Sequence, residues 1–235
     1  MQSDLPLAKT TVIELADSVA APLCGQILAD LGAEVIKIER PGGGDPSRQL
    51  GNKKRGLSPT FAALNRNKRS AVVDLKDPAD LARLHALVRD RADVFLHNLR
   101  PGTAGDFGLD GATLVEANPR LVYCALGAFG HKGPLATAPG YDVLMQAFGG
   151  IMLATGEQGR PPARVGVSIV DFGTGMWSAI GILAALNRRE RTGKGGIVDT
   201  SLYETALSWM SLLSADFLAS GEKPQRLGSG TVLAA

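Results

Sequence analysis

The chain contains few of the residues that build metal sites and disulfide frameworks. Its 235 residues include two cysteines and three histidines. Cys24 and Cys124 stand far apart in apolar surroundings, which favours reduced core thiols over a disulfide. The histidines show no spacing typical of zinc ligands, so we expect no metal site. Reduced thiols are typical of a cytoplasmic protein, and this is the location that we predict.

A large excess of one charge is also missing. The formal net charge is +2, so the composition predicts neither nucleic acid nor an anionic membrane as a partner. The amino-terminal residues contain no basic segment followed by an apolar core, which argues against a signal peptide. No apolar stretch reaches the roughly 18 residues expected of a membrane span. With 45% hydrophobic and 20% charged residues, the composition is typical of a soluble globular domain.

What the sequence does contain is a regular alternation of strand-like and helix-like segments. Short apolar runs precede segments of helical periodicity, an order typical of a parallel sheet covered on both faces. We therefore predict an α/β fold, a Rossmann-like open parallel sheet with flanking helices that becomes richer in helix after Gly130. The predicted strands are 11–15, 34–38, 70–75, 94–99, 121–126 and 197–202, and the predicted helices are 22–31, 78–91, 141–148, 173–191 and 203–219.

Polar side chains follow three of the predicted strands. Arg40, Lys76 and Asn98 stand at strand ends, and the carboxyl ends of parallel strands form the ligand-binding edge of an open sheet. An arginine there suits a phosphate, although a surface ion pair is the alternative. The turn 16–22 after the first strand lacks the glycines of a dinucleotide site, which argues against NAD. The pattern indicates a different phosphorylated ligand.

Asp171 stands between a buried run and a turn of small residues. The apolar run 165–170 precedes it, and Phe172-Gly173-Thr174-Gly175 follows. An aspartate before a helix commonly acts as the N-cap, accepting free backbone N–H groups. A carboxylate in a partly dry pocket can instead serve as a nucleophile or a base. Local sequence leaves both roles open.

Several sequence blocks, in order, strongly resemble class III CoA-transferases. This family includes formyl-CoA:oxalate CoA-transferase, the carnitine CoA-transferases and the α-methylacyl-CoA racemases. The resemblance extends over nearly the whole chain. The blocks are Leu31–Asp45, Asn65–Ser70, Asn98–Gly102, Pro139–Asp142 and Ile182–Gly195.

The resemblance implies an architecture larger than this chain. Family members are homodimers in which two chains thread through one another, each with a large and a smaller domain. Relative to that pattern the chain is truncated, so we expect 1–220 to be the amino-terminal part of the large CoA-binding α/β domain. The segment 221–235 would begin a linker toward the smaller domain. The expected substrates are an acyl-CoA and a small carboxylic acid, with no tightly bound cofactor.

The resemblance also assigns a role to Asp171, which matches the family's nucleophilic aspartate. In that mechanism the carboxylate attacks an acyl-CoA thioester, and an acyl-aspartyl anhydride is followed by an aspartyl-CoA thioester. Covalent catalysis of this kind divides one difficult exchange into easier steps. Gly173 and Gly175 are expected to let the thioester approach, and their N–H groups could stabilise an oxyanion.

The remaining contacts to CoA are implied position by position. One departure concerns the residue after the Pro-Gly turn, where family members often have an arginine and this chain has Asp106. The implied contacts are Arg40 at the 3′-phosphate, Val73, Asp74, Leu75 and Lys76 beside the adenine, Asn98, Leu99 and Arg100 around the pantetheine-diphosphate arm, and Tyr141 near the thioester.

Two other functions compete with acyl-CoA:carboxylate CoA transfer. An α-methylacyl-CoA racemase shares the fold and the aspartate, but it uses a histidine where this chain has Tyr141. Tyrosine is a poor acid or base near neutral pH, so the substitution favours the transferase. An inactive CoA-binding fragment is the third interpretation, because the expected smaller domain is missing.

Overall fold

A computed structural model describes residues 4–53 and 55–230. Six strands form a parallel sheet: β1 (Thr11–Leu15), β2 (Glu34–Glu39), β3 (Lys68–Val72), β4 (Val94–His97), β5 (Val122–Gly127) and β6 (Gly196–Ser201). Their spatial order is β3-β2-β1-β4-β5-β6, the order of the classic doubly wound dinucleotide fold. The predicted α/β fold with an open parallel sheet is confirmed.

The strand order reverses between β1 and β4. Val12 in β1 lies opposite Val35 of β2 on one side and opposite Val94 of β4 on the other. The chain builds outward from β1 to β3 and then returns to add β4 beside β1. Such a switch point leaves a crevice outside the carboxyl ends of the two strands, where open α/β sheets bind ligands.

Helices cover both faces of the sheet. On one face, Val12, Val35 and Val94 pack with residues of the first and the longest helix. On the other face, Ile13 and Phe95 pack with Leu84 and with the helix around Leu114. The helices are α1 (Ala20–Asp30), α2 (Pro59–Asn65), α3 (Pro78–Arg91), α4 (Thr103–Asp106), α5 (Gly111–Ala117), α6 (Asp142–Phe148), α7 (Ile151–Ala154), α8 (Ile169–Thr192), α9 (Leu202–Trp209) and α10 (Ser211–Ser220), with a 3-10 helix at Pro46–Gln49.

Some predicted boundaries are wrong. The helix predicted at 203–219 is two helices, because the chain breaks at Met210 between α9 and α10. The strand predicted at 70–75 is β3, Lys68–Val72, which both begins and ends earlier than predicted. The helix predicted from 173 begins at Ile169. The predicted linker 221–235 lies partly outside the described residues.

A buried set of charges ties the first three strands together at the crevice. Glu14 and Lys37 are both essentially inaccessible to solvent, and Lys37 Nζ lies 3.0 Å from Glu14 Oε1 and 3.0 Å from Asp45 Oδ2. Lys68 Nζ lies 2.8 Å from Glu14 Oε2. Two cations and two carboxylates neutralise one another, as buried charges require. The set fixes the loop after β2 against β1.

The longest helix, α8, packs on β5 and β6. At its far end the buried Arg189 pairs with Asp93 at 2.9 Å and donates to the carbonyl of Arg120 at 3.1 Å. In the described part of the chain, α8 alone is long and apolar enough to cross a membrane by length and composition. Core helices of globular proteins meet the same criterion, and α8 packs on α1, β6 and α9. Its apolar length was missed in the sequence because Thr174, Ser178 and several glycines interrupt it.

Candidate active site

Asp171 lies inside the first turn of α8 and not before it. The residue in the N-cap position is Ser168, which makes no side-chain capping bond, and the helix begins at Ile169. The N-cap interpretation of Asp171 is therefore wrong. The carboxylate of Asp171 therefore does not cap α8. It lies at the end of the sheet where the crevice opens.

A second carboxylate, Asp142, occupies the helix terminus in its place. Asp142 Oδ2 accepts hydrogen bonds from the backbone N–H of Val170 at 2.8 Å and of Asp171 at 3.1 Å. Its other oxygen accepts from Gln146 Nε2 at 2.5 Å, and Gln146 Oε1 accepts from the Val165 N–H at 2.8 Å. Asp142 and Gln146 are both buried. This small network fixes the segment that leads into α8.

These surroundings make Asp171 an unusually basic carboxylate. Burial, with the neighbouring charge of Asp142 as a smaller cause, raises the pKa of Asp171 to about 7. The N–H groups that could have lowered this pKa from the helix start are already bonded to Asp142. Among the described residues no hydrogen bond or ion pair reaches the Asp171 carboxylate. It is half-buried, unpaired and able to exchange a proton near neutral pH.

Gly173 and Gly175 do not contribute to the site as the sequence suggested. Both are buried inside α8, so their N–H groups belong to the helix and the oxyanion role is wrong. A Cβ at 175 would lie 2.6 Å from the carbonyl oxygen of Ala20, and one at 173 would lie 2.8 Å from the Trp209 ring. The two glycines allow α8 to pack closely on α1 and α9.

Tyr141 stands directly before Asp142 at the start of α6. Its side chain is 73% exposed and it makes no side-chain capping bond. Because the next residue, Asp142, bonds to the backbone of Val170 and Asp171, the backbone of Tyr141 lies near the start of α8. The predicted proximity of Tyr141 to a bound thioester is compatible with this position and stays a prediction.

The crevice at the switch point brings Arg40, Asn98 and Asp17 together. Arg40 follows β2 and Asn98 follows β4, while Asp17 lies in the turn after β1. Asn98 Nδ2 donates to the carbonyl of Asp17 at 2.8 Å, and the Asp17 N–H donates to Asn98 Oδ1 at 3.1 Å. Arg40 Nη1 lies 3.9 Å from Asp17 Oδ2. Asn98 thus shapes the crevice through its side chain.

The segment predicted beside the adenine lies in the turn between β3 and α3. Val73 is held by its N–H to the carbonyl of Glu39 at 2.9 Å, and the Asp74 N–H donates to Asp80 at 3.0 Å. Leu75 packs on the core beneath, and Lys76 is exposed. Since β3 and β4 are three strand spacings apart, this turn lies about 14 Å from Asn98 along the sheet edge. That distance suits two parts of one extended ligand.

Leu99 and Arg100 line a cavity of about 360 Å³ beside β4, β5 and α4. Within it, His97 Nδ1 accepts the Leu99 N–H at 3.1 Å, so the proton lies on Nε2, which donates to the Tyr123 hydroxyl at 2.6 Å. Burial lowers the pKa of His97 to about 4, which leaves this histidine neutral. Asp171 is not part of the lining. The exposed Asp106 lies in the neighbouring α4, and contact of this loop with CoA stays a prediction.

Two residues of the site were not found from the sequence. Asp142 belongs to one of the blocks that resemble the family. Its partner Asp171 in α8 is 29 positions away, and no local pattern links the two residues. Asp17 follows β1 just as Arg40 follows β2, so the strand-end signal could have found it. The described residues contain no group of three or more His, Cys, Asp or Glu able to hold a metal ion.

Comparison with known proteins identifies the family of this chain. The family model described as CoA-transferase family III matches residues 7–235. The succinyl-CoA–D-citramalate CoA-transferase of Chloroflexus aurantiacus is 40% identical over 95% of this chain and 56% of its own length. The acetyl-CoA:oxalate CoA-transferase of Acetobacter aceti is 41% identical over 95% of this chain and 58% of its own.

A solved structure agrees with these relatives. A CAIB/BAIF family protein from Brucella suis superimposes with a TM-score of 0.91 at 41% identity, covering 95% of this chain and 60% of that one. The chain belongs to CoA-transferase family III. It spans a little over half the length of the curated relatives that it matches.

Proposed function

We propose that this protein transfers CoA from an acyl-CoA to a free carboxylic acid, with Asp171 as the covalent nucleophile. The observation that carries the proposal is the unpaired, half-buried carboxylate of Asp171, whose pKa is raised to about 7. Relatives of this chain are named as transferases acting between succinyl-CoA or acetyl-CoA and carboxylates such as citramalate and oxalate. Both arguments support the same reaction class.

In the first half of the reaction, an Asp171 oxygen attacks the thioester carbonyl carbon. The carbon–sulfur bond breaks, CoA leaves as the thiolate, and an acyl-aspartyl anhydride remains. The thiolate then attacks the carbonyl carbon of Asp171. A carbon–sulfur bond forms, the donor acid departs as its carboxylate, and the enzyme holds an aspartyl-CoA thioester.

The second half repeats these steps with the acceptor. The acceptor carboxylate attacks the aspartyl-CoA carbonyl and expels the CoA thiolate, which gives an acceptor-aspartyl anhydride. The thiolate attacks the acceptor's carbonyl carbon, a new acyl-CoA leaves, and Asp171 is regenerated as a carboxylate. No proton is consumed in the cycle, so Asp171 must be ionised before the first attack. Because water would hydrolyse the anhydrides, the site must also exclude it.

The environment of Asp171 suits a nucleophile of this kind. A carboxylate with a raised pKa is a stronger base than an ordinary aspartate, and fewer hydrogen bonds must break before it attacks. Asp142 adds to this by occupying the two nearest N–H groups. The site therefore keeps the charge of Asp171 poorly solvated until a substrate arrives.

The contact of α1 with α8 brings the crevice proposed to bind the nucleotide close to the helix that carries Asp171. Gly175, one turn beyond Asp171, packs against Ala20 at the start of α1, and the turn preceding α1 carries Asp17. A nucleotide bound between Arg40 and the β3–α3 turn could extend its arm past Asp17 to Asp171. Tyr141, whose side chain is exposed, directly precedes the Asp142 that bonds to the start of α8.

The decisive experiment is mass spectrometry of the intact protein after incubation with succinyl-CoA or acetyl-CoA. We expect a CoA adduct that peptide mapping assigns to Asp171, and hydroxylamine should convert it to an aspartyl hydroxamate. Asp171→Asn should give no adduct, whereas Asp90→Asn, at an exposed position on α3, should label normally. Turnover without any adduct at Asp171, retained in Asp171→Asn, would exclude the covalent role. Exchange of an α-proton in deuterated water without CoA transfer would indicate a racemase.

The proposal includes association with a second copy of the chain. Phe172, Met176 and Ile180 form an apolar row on α8 with 47%, 51% and 52% of each residue exposed. Leu212 and Leu218 of α10 are 66% and 82% exposed. Contiguous apolar surface of this kind commonly marks an interface. Light scattering should give the mass of a dimer, and Met176→Glu should shift it toward the monomer.

A further inference from the structure

Arg40 does not face the crevice alone. Its guanidinium Nη1 lies 3.9 Å from Asp17 Oδ2, and both side chains remain substantially open to solvent, at 61% and 42%. An exposed pair at this distance contributes little to folding stability. Its position matters more than its strength, because it lies at the switch point where a phosphorylated ligand would bind.

The backbone keeps Asp17 in this place. Asn98 bonds to both the N–H and the carbonyl of Asp17. The next residue, Ser18, has φ +73°, and its N–H donates to Asp45 Oδ1 at 3.3 Å. Asp45 is in turn paired with the buried Lys37. The backbone of Asp17 is therefore fixed to Asn98 after β4 and to Asp45 in the loop after β2, which keeps this residue at the crevice.

Charges of both signs surround Asp17. Its pKa is raised by burial first and by the charge of Asp45 second, while Lys37 and Arg40 counteract this to a smaller extent. Lys37 is engaged with Glu14 and Asp45 inside the protein. A phosphate that pairs with Arg40 would bring its own negative charge close to the carboxylate of Asp17.

We propose that Asp17 is a specificity-determining residue that weakens the hold of Arg40 on the phosphate of the nucleotide. The inference rests on the proposed function, in which Arg40 binds the 3′-phosphate of CoA. In the free protein Asp17 keeps the guanidinium over the crevice. In the complex it repels the phosphate, so CoA is recognised but released readily. A carrier that must be exchanged in every cycle benefits from such a balance.

The test compares CoA with dephospho-CoA, which lacks the 3′-phosphate, by calorimetry on the intact protein. Removing one negative charge a few ångströms from the phosphate should tighten CoA binding to Asp17→Asn by about threefold to tenfold. Binding of dephospho-CoA should change by less than about twofold. High salt should reduce the gain, because both groups are exposed. Asp17→Ser supplies a second uncharged variant in case Asp17→Asn folds poorly.

Glu116→Gln is the matched control, since it removes one exposed negative charge on α5 and should leave both affinities unchanged. Equal gains for CoA and dephospho-CoA, or weaker CoA binding to both Asp17 variants, would show that Asp17 does not act on the phosphate. If the wild-type protein binds neither ligand, the proposed function itself fails. If it binds CoA but the ratio of the two affinities is the same in Asp17→Asn, only the role of Asp17 is overturned.

Discussion

Asp142 Oδ2 lies 3.1 Å from the backbone nitrogen of Asp171 and 2.8 Å from that of Val170. The buried carboxylate of Asp142 thereby occupies the N–H groups at the start of α8, which would otherwise stabilise the charge of Asp171. Asp142 organises the backbone at the start of α8, and in the part of the chain that the structure describes no hydrogen bond reaches the carboxylate of Asp171. The raised pKa of Asp171 is the measurable consequence of this arrangement.

Asp142→Asn should lower the pKa of Asp171, because the substitution removes the nearby negative charge while an amide oxygen still accepts the helix N–H groups. A lower pKa keeps the nucleophile ionised at more acidic pH. The acid limb of the pH profile of kcat/KM should therefore move to lower pH, and the ratio of variant to wild-type rate should be higher at pH 6 than at pH 8. An unchanged acid limb would separate Asp142 from the ionisation of Asp171.

Asp171→Asn should abolish transfer while leaving CoA binding nearly intact, because the amide preserves shape but not nucleophilicity. It should also change stability in a pH-dependent way. The folded pKa of about 7 lies above the unfolded value of 3.8, so wild-type stability falls as pH rises through this interval. At pH 8 the variant should be more stable by about 1–3 kcal/mol, and the difference should vanish below about pH 4. Thermal unfolding from pH 4 to 8, on protein checked for deamidation, measures both parts.

Arg40→Ala should weaken CoA binding by about 1.5–3 kcal/mol, the usual range for a charge-assisted hydrogen bond. The loss should be much smaller for dephospho-CoA, because the group that Arg40 is proposed to bind is missing. Calorimetry with the two ligands decides the matter. Equal losses would instead assign Arg40 to the structure of the crevice.

Gly175→Ala should destabilise the fold by about 1–3 kcal/mol, the usual effect of overpacking. The added Cβ would lie 2.6 Å from the backbone oxygen of Ala20 and 3.1 Å from Leu23, and the backbone of α1 cannot move aside cheaply. Gly166→Ala is the control, because nothing lies within 4 Å of its Cβ. Its free energy of unfolding should stay within about 0.5 kcal/mol of wild type. Chemical denaturation of the two variants gives the comparison.

Lys37→Met should cost about 3–5 kcal/mol, because it leaves the buried carboxylates of Glu14 and Asp45 with one cation fewer. Arg69 makes an ion pair with Glu34 at 2.8 Å but is 77% exposed, so Arg69→Met should cost less than about 1 kcal/mol. Denaturant titration of both variants measures this contrast. Similar losses for the two would contradict the structural importance of the buried charges.

The fold was largely predictable because its strands and long helices have strong local patterns. The boundaries of β1 and α3 were predicted correctly from an apolar run and from Pro78 and the helical period that follows it. Helices α2, α4, α5 and α7 are four to seven residues long, too short to show a period. The break between α9 and α10 at Met210 has no glycine or proline to signal it.

The site was predictable only where residues follow strand ends or match a family block. Arg40, Asn98 and Asp171 were singled out in this way, and their roles toward CoA stay predictions. The pairing of Asp142 with Asp171 could not be predicted, because it depends on the packing of α6 against α8 across 29 positions. The engagement of Asn98 with Asp17 likewise joins positions 81 apart. Tertiary contacts of this span leave no trace in local periodicity.

The anchoring of α8 at Arg189 has a consequence for how this gene can vary. Asp171 and Arg189 are eighteen residues apart, about five whole helical turns, so the Asp171 carboxylate and the anchor share one side of the helix. Inserting or deleting a single residue between them would rotate one relative to the other by about 100°. With Arg189 held by Asp93 and Arg120, that rotation would turn Asp171 away from its place beside Asp142. Length changes should therefore be absent from this helix in active descendants.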